Sequence, residues 1–298
     1  MIPREKGFLL LTSHLGDPDR KPLTGPQMRT LAQRMRTMEK PTVDREVNVQ
    51  DLLALGYSPD AAERILQMLS QEDLLDYYLS RGKRYGCVPV TRVSEDYPGI
   101  LRKRLGLEAP GCLWAKGDLS LFHTPAIALV GSRDLRDENR RFAENVGIQA
   151  ARQGLTLVSG NARGADKTAQ NACLRSGGRV ISIVADELAK HPVQENILFV
   201  SESGFDEVFS AQRAISRNRC IHALGRMVFV AQATLNKGGT WDGTVKNLNH
   251  GWSSVACFRD GSEAMRELEQ MGAWLLDLSD LEDFGNLRET TENFLTGE

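Results

Sequence analysis

Short apolar segments alternate with helix-like segments over the second half of the chain. Six of these segments have the length and nearly continuous apolar character of buried strands: Ala126–Val130, Thr156–Ser159, Arg179–Val184, Leu198–Ser201, Met227–Ala231 and Ser254–Phe258. Segments of helical composition separate most of them, notably Glu138–Gln153, Ala165–Ser176 and Thr240–Asn249. Continuous apolar strands joined by helices predict an α/β fold in which helices cover both faces of a mainly parallel sheet. A further helix is expected at Glu263–Gln270 and an edge strand at Trp274–Leu276.

The pattern of residues 1–88 is instead helical, with few strand signals. Thr24 is expected to cap one helix, and Ser58 followed by Pro59 is expected to begin another. Two shorter helices are expected near Val49–Leu55 and Asp73–Arg81. The Met and Leu stripes of these helices are typical of a small hydrophobic core.

Three parts follow from these patterns. Residues 1–88 form a small helical N-terminal domain, and residues 89–278 form the α/β domain together with the connector that precedes it. In the connector, Val88–Thr91 is expected to be extended and Leu113–Asp118 to be a strand followed by a turn. Residues 279–298 are polar and acidic, and we expect this tail to be loosely ordered.

Composition and charge exclude some classes of protein but do not identify one. The net charge of −2 over 298 residues does not indicate a nucleic-acid binder, although binding depends on where the charge lies. Five scattered cysteines without a CxxC pair predict neither a zinc site nor a disulfide framework and favour a reducing cytoplasm. The N-terminus lacks a signal-peptide pattern, and Phe8–Leu11 is too short for a membrane helix. The chain is therefore expected in the cytoplasm, without a membrane partner.

A glycine-spaced loop follows the second predicted strand, from Ser159 to Asp166. In parallel sheets ligands bind beyond the carboxyl ends of the strands. Glycines let the backbone approach an anion, the amides at a helix start favour negative charge, and Arg163 adds a planar cation. Asp166 is expected to cap the helix or to bond a sugar hydroxyl or a nearby N–H group. The alternative is an ordinary turn with a solvated arginine.

Other strand ends carry the same chemistry. The candidate phosphate-binding residues are Gly131, Ser132, Arg133, Ser159, Gly160, Asn161, Arg163, Gly164, Asp166, Arg217, Asn218, Arg219, Lys237, Gly238, Gly239 and Thr240. Backbone donors, hydroxyls and cations are the groups that hold phosphates. Between Arg213 and Arg226 the chain carries arginines and no acid, which indicates a local basic surface or, alternatively, a solvated helix face.

Catalytic patterns are absent from the sequence. None of the five histidines lies in a motif with a nucleophile, and no GxSxG, HExxH or GxxxxGK[ST] motif occurs. His222 beside the arginines is interpreted as structural, and Ser159 as a hydrogen-bond donor. We therefore predict a protein that is not an enzyme and needs neither a metal nor a cofactor.

Taken in order, these residues resemble the DprA/Smf family of DNA-processing proteins over roughly residues 90–276. The resemblance is carried by Asp96-Tyr97-Pro98, Leu113–Asp118, Val130–Arg133, Ser159–Asp166, Ser201-Glu202, Arg217–Arg219, Lys237–Thr240 with Thr244, and Gly272-Ala273. It implies a Rossmann-like domain with an extended sheet, preceded by a small helical domain. It also implies a homodimer that binds single-stranded DNA and helps to load a RecA-type recombinase during natural transformation, without catalysis. Arg133 and Arg163 match the basic residues of the family's pocket.

The chain departs from the family pattern at several positions. Gln170 stands where the family usually has a histidine, and Gln232 stands where a glutamate is common. The segment Cys257–Gly261 lacks the usual proline, and the tail is too short for a winged-helix domain. The general DNA-binding role is less affected by these changes than a transformation-specific one. A sensor of a nucleotide or nucleotide-derived signal, related to phosphoribohydrolases, and a simple scaffold stay open as alternatives.

Overall fold

The computed structural model describes residues 2–38, 46–285 and 287 as a mixed α/β fold. The helices are α1 (Pro3–Thr12), α2 (Gly25–Thr37), α3 (Val49–Ala54), α4 (Pro59–Leu69), α5 (Glu72–Arg84), α6 (Gly99–Leu105), α7 (Asp137–Arg152), α8 (Ala165–Arg175), α9 (Ala211–Ser216), α10 (Asn218–Leu224), α11 (Gly238–His250) and α12 (Glu263–Gln270). The strands are β1 (Val88–Thr91), β2 (Cys112–Lys116), β3 (Ala126–Val130), β4 (Thr156–Ser159), β5 (Arg179–Ile183), β6 (Ile197–Ser201), β7 (Met227–Val230), β8 (Ser254–Phe258) and β9 (Trp274–Leu276). Within these ranges no helix has the length and apolar character needed to span a membrane.

The described strands form one sheet in the order β1-β2-β6-β5-β4-β3-β7-β8-β9. All strands from β3 to β9 pair in parallel, whereas β1 with β2 and β2 with β6 pair antiparallel. The predicted mainly parallel, Rossmann-like sheet is thus confirmed. The strand order reverses at β3, which lies between β4 and β7, and such a reversal opens a crevice at the carboxyl ends of the strands.

Helices cover both faces of the sheet. On one face α7 and α8 bury apolar residues such as Phe142 and Cys173, and on the other face α6, α10 and α11 bury residues such as Leu101, Ile221 and Trp241. Helices α7 and α8 approach each other closely at Gly147 of α7, where an added Cβ atom would lie 2.2 Å from the carbonyl oxygen of Ala169. Only glycine allows this approach, which holds α8 firmly beneath the loop that precedes it.

The N-terminal helices form a small core that includes Leu31, Leu52 and Ile65. The predicted caps are present, because the Ser58 hydroxyl accepts a hydrogen bond from the Ala61 amide at 3.3 Å and Thr24 similarly caps α2. The division of the chain at residue 88 stays a prediction.

Helix α1 has no counterpart among the helices predicted from the sequence. Its run Leu9–Leu11 is buried throughout, with Leu9 and Leu10 packed in the core of the α/β domain and Leu11 in the small helical core. A helix between two cores needs apolar residues on both sides, which removes the one-sided pattern that identifies surface helices.

The predicted tail begins with packed residues. Leu281 and Phe284 are buried against the α/β core, and the Gln153 side chain accepts a hydrogen bond from the Phe284 amide at 2.8 Å. Two apolar side chains in a polar segment are enough to attach it to the domain, contrary to the expectation of loose order from residue 279. Residues 286 and 288–298 of the tail lie outside the described residues.

Candidate phosphate-binding site

Three of the predicted loops meet at the carboxyl edge of the sheet, because β4, β3 and β7 are neighbours. The Ser132 amide donates to the Gln232 carbonyl at 2.9 Å, which joins the loops after β3 and β7. The Ala165 amide donates to the Ser132 carbonyl at 3.1 Å, which joins the loop after β3 to the start of α8. An added Cβ atom on Gly131 would lie 2.5 Å from the Ala165 Cβ atom, so glycine is needed where these segments touch.

Gly164 fixes how α8 meets this junction. Its φ is +87°, and an added Cβ atom would lie 2.4 Å from the Ser132 carbonyl oxygen and 2.5 Å from that of Arg133. Both the backbone conformation and the close contact require glycine. Of the amides at the helix start that were expected to favour an anion, those of Ala165 and Lys167 are already bonded within the protein.

Asp166 lies inside the loop that precedes it. It is buried, and its carboxylate accepts a hydrogen bond from the Ala162 amide at 3.2 Å, which is one of the roles the sequence suggested. Burial raises the pKa of this carboxyl, and the Arg217 guanidinium opposes the rise. Asp166 is therefore placed to hold the loop in shape from below.

Arg217 is the most buried arginine of the site, with 5% of its surface exposed. Its guanidinium packs beneath Gly160, where an added Cβ atom would lie 1.6 Å from Nη1. Burial lowers the pKa of Arg217, whereas the charges of Asp166 and Glu202 raise it. Within the described ranges its Nε and Nη1 atoms have no hydrogen-bond partner. A buried cation with unused donors favours an anion at the loop above it.

Among the candidate site residues, the exposed cations are Arg133, Arg163 and Lys237. Arg163 pairs with Asp134 at 2.8 Å, and the two side chains are 76% and 82% exposed. An ion pair so open to solvent is weak, so Arg163 can leave it for a ligand at little cost.

The other arginines between residues 213 and 226 do not form one surface, nor are they a solvated helix face. Arg213 donates to carbonyl oxygens, including that of Ala185 at 2.8 Å. Arg219 pairs with Glu202 at 2.8 Å, and both groups are largely buried. Arg226 precedes β7 and so lies at the opposite, amino edge of the sheet. The basic surface predicted from the spacing of these arginines is therefore divided among three different environments.

A side chain of α10 holds the glycine-containing loop that follows β7. The Asn218 side chain donates to the Gly239 carbonyl at 3.0 Å, and Gly238 takes a φ of +87°. Lys237 stands exposed just before α11, and the Thr240 carbonyl accepts a hydrogen bond from the Thr244 hydroxyl at 2.7 Å. Asn218 thus positions the loop that presents Lys237.

Several polar residues at this edge were not selected from the sequence as site residues. The Gln170 side chain donates to the Ser182 hydroxyl at 3.3 Å, and Arg213 donates to the Ser201 hydroxyl at 3.1 Å. Gln232 bonds the Arg136 amide and the Asp134 carbonyl, and so joins two loops. Ser201 belongs to the Ser201-Glu202 motif already noted in the sequence, and the signal that could have found Ser182 is a small polar residue inside an otherwise apolar strand.

The described residues offer little support for metal binding or for acid–base chemistry by His222. Across the described part of the chain, no cluster of three or more His, Cys, Asp or Glu residues could hold a metal ion. His222 is completely buried, and burial lowers its pKa to about 3. A histidine that stays neutral inside the protein fits the structural role expected for it.

The strand order and the loops at its reversal define a doubly wound α/β protein with a candidate anion-binding site at the carboxyl edge of its sheet. The model of the family described as DNA recombination-mediator protein A matches residues 89–251, more than half of the 298 residues. The chain belongs to this family, which confirms the resemblance seen in its motifs.

Individual relatives agree with this assignment. DNA processing protein DprA of Streptococcus pneumoniae is 36% identical over 141 residues, which are 44% of this chain and 50% of the relative. The chain thus spans about half the length of that curated relative. The X-ray structure of DprA from the same organism superposes with a TM-score of 0.67 at 27% identity, covering 85% of this chain and 90% of that one. A structure of DNA processing protein A from Helicobacter pylori, described for its single-stranded DNA binding mode, shares the fold with a TM-score of 0.55 at 22% identity, covering 66% and 94%.

Proposed function

We propose that this protein is a DNA-processing protein that binds single-stranded DNA at the carboxyl edge of its sheet. The observation that carries the proposal is the meeting of three glycine-containing loops above Arg217, whose buried Nε and Nη1 atoms have no partner in the described structure. Phosphates would contact the loop amides and the exposed side chains of Arg133, Arg163 and Lys237. The Helicobacter pylori protein of the same fold binds single-stranded DNA, and that ligand is the first to test.

The edge favours contacts to the DNA backbone over contacts to the bases. The aromatic residue nearest to the loops in sequence, Trp241, is 6% exposed and packs into the core. The buried Trp241 ring gives bases nothing to stack on, and we expect recognition to rest mainly on phosphate charge. We therefore expect affinity with little sequence preference and a marked dependence on salt.

Family membership supports a proposal for the wider role. We propose that the chain acts without catalysis in the cytoplasm, as a homodimer that passes single-stranded DNA to a RecA-type recombinase in DNA uptake and recombination. A base-release assay with AMP tests the non-catalytic part of this proposal, because the related phosphoribohydrolases free the base from nucleoside monophosphates. Measurable turnover would contradict it.

The binding site is tested by titrating single-stranded DNA, duplex DNA and a mononucleotide at roughly 50 and 200 mM salt. We expect Arg163→Glu to weaken single-stranded DNA binding by about tenfold or more, because the substitution replaces a phosphate contact with a repulsive charge. Arg175→Glu is the matched control, since Arg175 is also exposed and pairs with an exposed acid, Glu144. Equal DNA affinity of the two variants, both with the thermal stability of the wild type, would remove Arg163 from the site.

A small nucleotide is the second candidate ligand. Arg217 and the loop above it form a single buried cationic position, which suits one phosphate as well as a strand of them. The same titration separates the two functions. Mononucleotide binding that is as tight as oligonucleotide binding and insensitive to DNA length would favour a nucleotide sensor.

A further inference from the structure

A second basic cavity lies at the opposite edge of the sheet, away from the three loops. It has a volume of about 880 Å³ and is bordered by the amino ends of four parallel strands, with Ile127, Leu155, Met227 and Ser254 at its wall. This size is within the range of small-molecule sites. The position separates it from every residue assigned above to phosphate binding.

The ionisable side chains that line this cavity are all basic residues. Lys103 and Arg104 come from the end of α6, Arg226 precedes β7, and His250 ends α11. In the described structure no carboxylate lines the cavity. The acid nearest to its rim along the chain is Asp283, whose carboxylate accepts a hydrogen bond from the Gly285 amide at 2.7 Å.

Arg104 and Arg226 carry like charges into the same space. Arg104 is half-buried and is held in place by the carbonyl oxygen of Ala223 at 2.9 Å and by that of Gly225. Burial lowers the pKa of Arg104, and the charge of Arg226 lowers it further. Neither arginine forms an ion pair with any described residue. Two adjacent cations without an acid are an unfavourable arrangement that a bound anion relieves.

The remaining wall of the cavity is apolar and aromatic. Ile127, Met227 and Trp252 are buried, and the exposed His250 ring stacks on the Trp252 ring with centroids 5.2 Å apart and planes at 26°. The His250 ring is therefore the flat surface that a ligand can reach. A cavity with cations at one side and apolar surface at the other suits a ligand that carries both a charged and a flat apolar part.

We propose that this amino-edge cavity binds a phosphate-bearing ligand of nucleotide size, with the phosphate on Arg104, Arg226 and Lys103 and the base against the His250 ring. The chemistry is shared by a free nucleotide and by one nucleotide unit of a DNA strand. The proposal goes beyond the carboxyl-edge site and does not depend on it.

Isothermal titration with inorganic pyrophosphate, dTMP and a dT oligonucleotide tests the cavity. All chains carry Arg163→Glu, so that the carboxyl edge contributes as little as possible. Arg226→Glu is expected to weaken dTMP and pyrophosphate binding by about tenfold or more. Arg226 is exposed and its side chain forms no hydrogen bond within the described structure, so the substitution should leave the fold intact. Arg266→Glu on α12 is the matched control, because Arg266 is also exposed and lines none of the described cavities.

The outcomes decide the proposal and the source of the ligand. Equal affinity of the Arg226→Glu and Arg266→Glu chains for dTMP and pyrophosphate, or no binding by either, overturns it. A loss with Arg226→Glu that extends to the oligonucleotide identifies a DNA strand as the source, and a loss confined to the small ligands identifies a free nucleotide. Should Arg226→Glu lower the melting temperature, Lys103→Gln, at an exposed position, repeats the test. Failure of the carboxyl-edge proposal shows separately, in the comparison of Arg163→Glu with the wild type.

Discussion

Two groups of cations at the carboxyl edge carry the same charge in opposite environments. Arg163 and Lys237 stand on loops and are exposed, and Arg163 pairs with an exposed aspartate, Asp134. Arg217 and Arg219 lie on or beside α10 and are buried or half-buried, with Arg219 paired to Glu202. The first group can exchange its contacts for a ligand at little cost. In the second group Arg219 is neutralised by Glu202, whereas Arg217 lies beneath a loop and keeps the unused donors that favour an anion there.

The difference shows that a basic segment in a sequence is not yet a basic surface. The arginines from Arg213 to Arg226 are close along the chain and lack an intervening acid. The acid that neutralises Arg219 comes instead from the end of β6, and the oxygens that hold Arg213 are backbone carbonyls. A charge is available to DNA only where folding leaves it without such partners.

The largest expected effect on stability comes from a substitution at Gly164, which supports the exposed loop that carries Arg163. We expect Gly164→Ala to lower the free energy of unfolding by about 3 kcal/mol, from strain at positive φ together with contact against two carbonyl oxygens. Gly177→Ala is the control, because Gly177 has a φ of +76° and open space around it, so only the strain of about 1 kcal/mol remains. Urea unfolding measures both values. Equal losses in the two variants would mean that the close contact at Gly164 is unimportant.

A second test concerns the burial of His222, a residue of α10. His222 on this helix has its pKa lowered by burial to about 3, whereas an unfolded chain binds the proton near pH 6.5. Between these values the unfolded state binds more protons, so stability falls as pH decreases. The contribution of His222 is about 2 kcal/mol between pH 6.5 and 5. We expect His222→Gln to flatten the dependence of unfolding free energy on pH in this window, and an unchanged slope would place His222 in contact with water.

Much of the fold could be predicted, because buried parallel strands are nearly continuous apolar runs. Such strands can be identified from their own sequence, without knowledge of the strands with which they pair. The strands from Ala126 onward and the edge strand Trp274–Leu276 agree with the structure to within about a residue. Helix α1 could not be identified, since burial between two cores removes its one-sided pattern. The packing of Leu281 and Phe284 was missed because two apolar residues are too few to outweigh a polar segment.

The candidate site could be predicted less completely. The glycine loops were recognisable in the sequence because each follows a predicted strand, and the carboxyl ends of parallel strands share one edge of the sheet. Three of these loops do meet in the structure. The pairing of Arg219 with Glu202 and the burial of Arg217 depend on contacts between segments distant in sequence, which spacing alone does not contain. The amino-edge cavity combines residues from α6, α11 and the approach to β7, and no motif links them.

The two groups of cations should also differ in their effect on stability. We expect Arg219→Gln to lower the unfolding free energy by about 1 to 3 kcal/mol, because it leaves the largely buried Glu202 carboxylate without its cation. Lys237→Gln removes an exposed charge and should change stability by less than about 0.5 kcal/mol. Thermal and urea unfolding measure both. Equal losses would contradict the division into structural and available cations.

The smallest expected effect is on the salt dependence of DNA binding, and it tests the same division from the ligand's side. Each phosphate contact to a single strand contributes about 0.7 to the slope of log affinity against log salt. We therefore expect Lys237→Gln to reduce the slope by about 0.7, since it removes one exposed contact. Arg219→Gln should leave the slope unchanged, because its guanidinium already pairs with Glu202. Fluorescence polarisation of a labelled dT oligonucleotide at several salt concentrations measures both slopes. A reduction by Arg219→Gln equal to that of Lys237→Gln would mean that DNA draws Arg219 out of its ion pair, so that both groups of cations bind the strand.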